Sequence, residues 1–313
     1  MPEPGPGQFV VRVLWLGFDP TQRGWLNDVP SYMPPVEIGE VMRAIAVGQV
    51  VESRSPEFEV GTYVHGLLGW QDYVVTAGRG LFGARKVPPG LSPRSMLGLY
   101  GTTGLTAYFG MLDVGRPAED DLVVVSGAAG ATGSVAGQIA RVMGCRTIGI
   151  AGGPEKCAWV HDVARFDHVI DYKQDDVSAR LGQLAPDGIN VYFDNVGGSI
   201  LEACLDHLAL RARVVLCGGI SSGYTADAAP SGPRNYMQLV GRRARMEGFL
   251  VPDYFSRSAE AIAELRRWAE SGAIVVAEDI QVGLENAPAT LRRLFEGKNL
   301  GKQLLKVADP PIG

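Results

Sequence analysis

Ser126-Gly127-Ala128-Ala129-Gly130-Ala131-Thr132-Gly133 is the stretch of this chain best suited to hold a phosphate. Glycines let a backbone approach an anion closely. The first N–H groups of a following helix, with the positive end of its dipole, then face that anion. The apolar run Leu122-Val123-Val124-Val125 precedes the turn, and Val135, Ile139, Val142 and Met143 follow it at helical spacing. A strand, a glycine turn and an amphipathic helix form the first unit of a dinucleotide-binding fold. Gly130 and Gly133 occupy the second and third fingerprint positions, whereas Ala128 takes the first. A turn that serves packing alone gives the same spacing, so the surrounding elements must decide.

A site for NAD carries Asp or Glu at the end of the second strand, where it binds the ribose hydroxyls. Here that strand ends Ile150-Ala151-Gly152-Gly153-Pro154, with no acid at its tip. Glu155 comes later and Lys156 follows at once. An absent carboxylate and a nearby cation suit a 2′-phosphate and hence NADP, with Lys156 as a point-charge partner. A solvated lysine in a first helical turn is the plainer account of the same residue. Asp194-Asn195-Val196-Gly197-Gly198 either ends a later strand at the ligand-binding carboxyl edge or is a simple turn and helix start.

Two kinds of region must position these residues. Up to about Leu99 the chain reads as short strands broken by proline and glycine: Phe9 to Leu16, Ala44 to Glu52, Gly61 to Val64 and Asp72 to Val75. From about Asp121, strand-like and helix-like segments alternate through Cys217, as expected for a parallel sheet with helices on both faces. Past Ser256 comes an amphipathic helix with Ala261, Leu265 and Trp268 on one face. Strands at Ile274–Val276 and Ile280–Val282, a helix near Ala287–Phe295 and a last strand near Gln303–Val307 follow. The expected fold is α/β: a doubly wound parallel sheet of Rossmann type inserted in a β-rich domain. Residues 1–98 form the β-rich domain, 99–275 the Rossmann domain, and 276–313 return to the first.

Composition bounds the function. The 313 residues are 46% hydrophobic, ample for a core, and carry a formal net charge of −5. That balance disfavours a nucleic-acid or anionic-membrane surface. Cys145, Cys157, Cys204 and Cys217 form no C-x-x-C pair, which disfavours a zinc ribbon or a disulfide framework and suits a cytoplasmic protein. Met1-Pro2-Glu3-Pro4-Gly5 lacks the basic and apolar regions of a signal peptide, and no apolar run reaches the length of a membrane helix.

Together these residues resemble the medium-chain dehydrogenase/reductase superfamily, and within it the zinc-independent leukotriene/prostaglandin reductases and alkenal double-bond reductases. The resemblance covers almost the whole chain. It is carried by Ile38-Gly39-Glu40-Val41-Met42, Gly69-Trp70-Gln71-Asp72-Tyr73, Gly104-Leu105-Thr106-Ala107-Tyr108, Tyr192-Phe193-Asp194-Asn195-Val196-Gly197-Gly198, Cys217-Gly218-Gly219-Ile220-Ser221 and Asn299-Leu300-Gly301-Lys302. It implies a GroES-like β domain around a Rossmann domain, with NADPH in the cleft, usually in a homodimer. It further implies that Gly130, Ala131, Thr132 and Gly133 cradle the pyrophosphate. Lys156 and Tyr172 hold the 2′-phosphate, and Asn195 contacts the adenosine side. Cys217, Gly218, Ile220, Ser221 and Tyr224, then Phe249, Leu250 and Val251, line the nicotinamide, and Asn299 contacts the cofactor. The metal-binding branch has Gly-His-Glu where this chain has Ile38-Gly39-Glu40. None of His65, His161, His168 or His207 has metal-like spacing with a cysteine, so no metal is expected.

Without a Lewis acid, the expected chemistry is NADPH-dependent reduction of the carbon–carbon double bond of α,β-unsaturated ketones or aldehydes. Tyr224 is the candidate donor or acid; a phenol with an ordinary pKa of about 10 stays protonated at neutral pH. A loop tyrosine that only packs is the alternative. Tyr32 is a candidate substrate contact or a turn aromatic over the core. Trp25 and Trp70 are candidate substrate walls, with ordinary packing favoured for both. Quinone reduction in the same superfamily and cofactor binding without catalysis are the alternative functions. The chain departs from the family pattern in three places. Ile220-Ser221-Ser222-Gly223-Tyr224-Thr225 sets Tyr one place later than usual with no Asn after it, Thr102 stands where Met is common, and the chain starts late against the family pattern, for which a wrongly placed translation start and a shortened N-terminal edge of the β domain are the two expectations.

Overall fold

The computed structural model describes residues 1–29, 31–225 and 232–312. In chain order the strands are β1 (Phe9–Gly17), β2 (Ile45–Ser53), β3 (Tyr63–Leu67), β4 (Tyr73–Thr76), β5 (Arg85–Lys86), β6 (Leu122–Ser126) and β7 (Arg146–Ala151). They continue with β8 (His168–Asp171), β9 (Ile189–Asp194), β10 (Leu208–Leu216), β11 (Arg245–Gly248), β12 (Glu278–Val282) and β13 (Lys302–Lys306). The α-helices are α1 (Thr21–Gly24), α2 (Thr102–Phe109), α3 (Ala131–Val142), α4 (Pro154–Ala158), α5 (Val177–Leu184), α6 (Gly198–Asp206), α7 (Gln238–Arg242), α8 (Ser258–Glu270) and α9 (Ala287–Phe295). The chain folds into two compact units, Met1–Thr102 with Glu278–Gly313, and Thr103–Ala277.

The first unit is built on a seven-stranded sheet ordered β12-β13-β1-β2-β3-β5, with β4 also paired to β1. β1 reads Phe-Val-Val-Arg-Val-Leu-Trp-Leu-Gly and is almost wholly buried, because it pairs with β2, β4 and β13. Phe9, Val11, Val13, Leu16 and Phe18 meet Leu291, Leu294 and Leu305 from the C-terminal segment in one core. That shared core is why both ends of the sequence belong to one unit. The rings of Phe9 and Phe58 stack with centroids 4.2 Å apart.

The second unit holds a six-stranded sheet ordered β11-β10-β9-β6-β7-β8, with every pairing parallel. The chain starts at β6 in the middle, winds outward through β7 and β8, then returns to β9 and winds the other way. The order therefore reverses between β6 and β9, and in this architecture ligands bind outside the carboxyl ends of the strands at that reversal. Val123, Val124, Val125, Val191, Tyr192 and Phe193 are fully buried in these two strands. Burial of each such side chain stabilises by roughly 1.5–3 kcal/mol.

The alternating elements lie where periodicity predicts them, with local differences. Residues 274–276, expected as a strand, join no sheet. Ile274 is buried, and the peptide of Val275 is satisfied by one side chain: Val275 N–H donates to Gln138 Oε1 at 2.8 Å and Gln138 Nε2 donates to Val275 O at 2.9 Å. A carboxamide thus supplies the donor and acceptor that a neighbouring strand would have supplied. α3 also begins earlier than its apolar spacing suggests, at Ala131 inside the glycine turn.

His65 lies on β3 opposite Arg85 of β5. Burial, helped by the Arg85 guanidinium, lowers its imidazole from 6.5 to about 4. Between those values the unfolded chain binds more protons than the folded one. This contribution to stability is therefore complete above the unfolded value and is lost as pH falls through the folded value. Acidification to pH 4.5 should remove roughly 2–3 kcal/mol through this ring. Urea unfolding at pH 7.5 and 4.5 checks it: His65→Gln should lose less stability between the two pH values than wild type, and equal losses would refute the assignment.

Candidate active site

The glycine turn between β6 and α3 is built for close approach. Gly127 has φ of 62°, so the left-handed residue of the turn falls just ahead of the alanine at the first fingerprint position. Its carbonyl accepts Gly130 N–H at 2.8 Å. A Cβ at Gly133 would stand 2.4 Å from that carbonyl oxygen, and one at Gly130 would stand 3.0 Å from it. Gly130 is extended and caps α3 without a side-chain hydrogen bond. A bare backbone and the uncapped start of a twelve-residue helix fit the pyrophosphate of a dinucleotide.

Beside this turn stands a buried carboxylate. Asp194, at the end of β9, is 1% exposed. Its Oδ1 accepts from Tyr192 Oη at 2.7 Å, Ser126 Oγ at 2.9 Å, and the N–H groups of Val196 and Gly197 at 3.0 Å each. Ser126 closes the link to β6: its Oγ accepts Asn195 N–H at 2.9 Å and its carbonyl accepts Asn195 Nδ2 at 2.7 Å. The main-chain carbonyl of Asp194 accepts Cys217 N–H at 2.9 Å and Gly218 N–H at 3.1 Å. One residue thereby ties together the end of β6 and the loops after β9 and β10. Burial, with Cys204 and Asp194 nearby, pushes the Tyr192 phenol well above 10, so it remains a donor. Burial and Asp194 together push the Cys217 thiol up to about 12.

Tyr224 lies in the segment that follows β10. Ile220 N–H and Ser221 N–H donate to Asn195 O and Val196 O at 3.3 and 3.0 Å, which lays this loop along the one after β9. Gly223 and Tyr224 both have positive φ, 65° and 52°. A positive φ is uncommon for tyrosine and folds the chain back. The Tyr224 hydroxyl oxygen consequently accepts Gly219 N–H at 3.2 Å, over Gly218. Phe249 follows β11, its ring edge against Gly110, while Leu250 is exposed and Val251 opens a short helical turn.

Lys156 lies in α4, whose cap is Gly153, and Tyr172 follows β8. Thus Gly130 to Gly133, Lys156, Tyr172, Asn195, Cys217 to Tyr224 and Phe249 to Val251 all follow the carboxyl ends of strands in one sheet. The other four candidates belong to the first unit. Trp25 is buried at the end of α1 and Trp70 packs on Phe18 at 5.6 Å; both indole nitrogens are buried with no hydrogen-bond partner among the described residues. Tyr32 is exposed with its hydroxyl 2.8 Å from Thr21 Oγ1, and Asn299 Nδ2 donates to Gly301 O at 2.9 Å. Among the described residues no three His, Cys, Asp or Glu side chains gather as a metal-binding group, and Ile38 is fully exposed.

Ser126, Tyr192 and Asp194 were not candidates from sequence as a network. The available signal was polar residues at the tips of otherwise apolar strands, Ser126 on β6 and Asp194 on β9.

The chain belongs to the zinc-independent medium-chain dehydrogenase/reductase family. Residues 1–84 match the family described as N-terminal domain of oxidoreductase, and residues 131–268 the one described as zinc-binding dehydrogenase. The chain is 41% identical over 310 residues to an NADPH-dependent curcumin reductase of Escherichia coli, covering 97% of this chain and 89% of that protein. It is 37% identical to a 2-alkenal reductase (NADP(+)-dependent) of Nicotiana tabacum, covering 97% and 88%. The crystal structure of CurA in complex with NADPH from Vibrio vulnificus superposes with a TM-score of 0.93 at 41% identity, covering 99% of this chain and 93% of that one.

Removing the buried carboxylate should be costly. Asp194→Ala orphans the Tyr192 hydroxyl and two N–H groups and should lower stability by about 3 kcal/mol or more, against roughly 1–2 for Ser126→Ala. In urea unfolding the double variant should lose less than the sum of the two, because they share one hydrogen bond. Additive losses would show that the network is not a unit.

Proposed function

We propose that this protein is an NADPH-dependent reductase of the carbon–carbon double bond of α,β-unsaturated ketones and aldehydes. The observation that carries the reading is the strand tip after β7, which has no carboxylate and stands with Lys156 and Tyr172 beside a bare glycine turn. The names of its relatives, curcumin reductase and 2-alkenal reductase, support the substrate class. In this reading the turn at Gly130, Ala131, Thr132 and Gly133 holds the pyrophosphate, and Asn195 contacts the adenosine side. Cys217, Gly218, Ile220, Ser221, Phe249, Leu250 and Val251 line the nicotinamide, with Asn299 a further contact. Trp25, Trp70 and Tyr32 are proposed substrate contacts.

NADPH, when bound, supplies the hydride that adds to the β-carbon. The protein's task is the charge that gathers on the substrate's carbonyl oxygen. Tyr224 is the hydrogen-bond donor to that oxygen or the acid that protonates the α-carbon of the enolate, its phenolate then regaining a proton from water. Its own oxygen is held by Gly219 N–H, so the phenol is oriented before substrate arrives. A donor fixed in advance needs little reorganisation as charge develops. No metal is part of the proposal.

The protein is also proposed to be a cytoplasmic homodimer. Its cysteines are unpaired thiols, which suits a reducing compartment. The polar edge strand β11 and the exposed Tyr236, Met237 and Val240 near it suit a contact with a second copy.

The decisive experiment is an acceptor screen that follows NADPH consumption and identifies the product. A saturated ketone or aldehyde from an enone or alkenal supports the reading; turnover of benzoquinones alone would replace it with quinone reduction. Lys156→Ala should weaken NADPH roughly tenfold or more and NADH about twofold at most, and equal losses would remove the 2′-phosphate assignment. Tyr224→Phe should lower kcat roughly 100-fold, as when one oxyanion donor is lost, with NADPH affinity nearly unchanged. Undiminished turnover would eliminate its role.

A further inference from the structure

One hydroxyl touches both ends of the turn that carries Tyr224. Ser222 Oγ donates to Gly219 O at 2.7 Å and accepts Tyr224 N–H at 3.3 Å. Ser222 N–H donates to the same carbonyl at 3.1 Å, and Gly223 N–H donates to Ile220 O at 2.9 Å. These bonds close a single helical turn over Ile220–Ser222. Gly219 N–H then donates to Tyr224 Oη at 3.2 Å. Both main-chain polar groups of Gly219 are thus engaged, the carbonyl by Ser222 and the N–H by the phenol at the far end.

Such a turn has to be held. Gly223 and Tyr224 are left-handed in succession, and the second of them carries a side chain. In that conformation the Cβ crowds the following carbonyl oxygen, so the chain adopts it only when other contacts offset the cost. The Ser222 hydroxyl acts at this residue, through Tyr224 N–H. The reversal brings the phenol oxygen back over the glycines: a Cβ at Gly218 would stand 3.1 Å from Tyr224 Oη. The near end of the turn is fixed independently. Cys217 and Gly218 N–H groups bind Asp194 O, and Ile220 and Ser221 N–H groups bind Asn195 O and Val196 O.

We propose that Ser222 is a positioning residue for Tyr224: its hydroxyl closes the left-handed turn and so fixes the phenol against Gly219 N–H. This rests on the reading of Tyr224 as hydrogen-bond donor or acid. The tyrosine of this chain comes one place later than in the family pattern, so its side chain must double back to reach the strand end. Gly223 and Tyr224 make the reversal, and Ser222 keeps it closed. Without Ser222 Oγ, Tyr224 N–H loses this acceptor and the left-handed pair relaxes toward ordinary backbone. The phenol then moves off Gly219, while residues 217–221 keep their own bonds to the loop after β9. The loss falls on the placement of the donor and not on coenzyme binding.

The test follows Tyr224 itself by fluorine NMR of protein labelled with fluorotyrosine, in which the Tyr224 resonance is the one missing from Tyr224→Phe. That resonance should shift in Ser222→Ala and return in Ser222→Thr, which keeps the hydroxyl. With an enone acceptor, kcat of Ser222→Ala should fall roughly tenfold at unchanged NADPH affinity, and Ser222→Thr should recover most of it. In a Tyr224→Phe background the serine change should lower kcat no further, since both act at one contact. An unmoved Tyr224 resonance in Ser222→Ala, or losses that multiply in the double variant, overturns the proposal. Turnover undiminished in Tyr224→Phe, or absent in wild type, overturns the reading of Tyr224 on which it rests, and the resonance still shows whether Ser222 seats the ring.

Discussion

The carboxyl edge of the parallel sheet depends on one oxygen, Asp194 Oδ1. A buried carboxylate is tolerated only when donors surround it, and here four do so. Those donors come from β6, from β9 and from the loop after β9, so satisfying the charge fixes the loops to one another. The carbonyl of the same residue holds the loop that carries Tyr224. The glycine turn and the candidate donor are therefore referred to a common point, at the place where the strand order reverses. Geometry that must be correct between two loops is set by a residue that belongs to neither.

Much of this fold was legible in the sequence because apolar periodicity and burial coincide. Residues 122–125 in β6 and 191–193 in β9 read as short apolar runs and are buried. α8 reads as one apolar stripe, and Ala261, Leu265 and Trp268 are its buried residues. Where burial is not one-sided the signal disappears. α2 is buried at Thr103, Gly104, Leu105, Ala107, Tyr108 and Phe109, almost all round, and shows no stripe. β11 is an edge strand of mostly exposed, polar residues and shows no alternation. Residues 274–276 show the opposite failure: apolar content without a strand, because Gln138 satisfies the backbone.

The site was legible to the extent that it is made of backbone. A glycine turn after an apolar strand announces itself, as does a strand tip without an acid. The side-chain network does not, because Ser126 and Asp194 lie 68 residues apart and each alone resembles a turn residue. Tyr224 was visible as a residue, but its attachment to Gly219 N–H depends on two successive positive φ values that no spacing encodes.

The environment of Cys217 has a consequence for a protein whose proposed substrates are electrophiles. Enones and alkenals alkylate thiolates, and the loop after β10 carries a cysteine among the residues proposed to line the nicotinamide. With the thiol pushed up to about 12 by burial and Asp194, the reactive anion is disfavoured at neutral pH. Burial likewise raises Cys145 to about 11 and lifts Cys157 and Cys204 above their ordinary value. Raised thiols disfavour the anion that such electrophiles alkylate, so the setting of the sulfurs bears on reactivity as well as on packing.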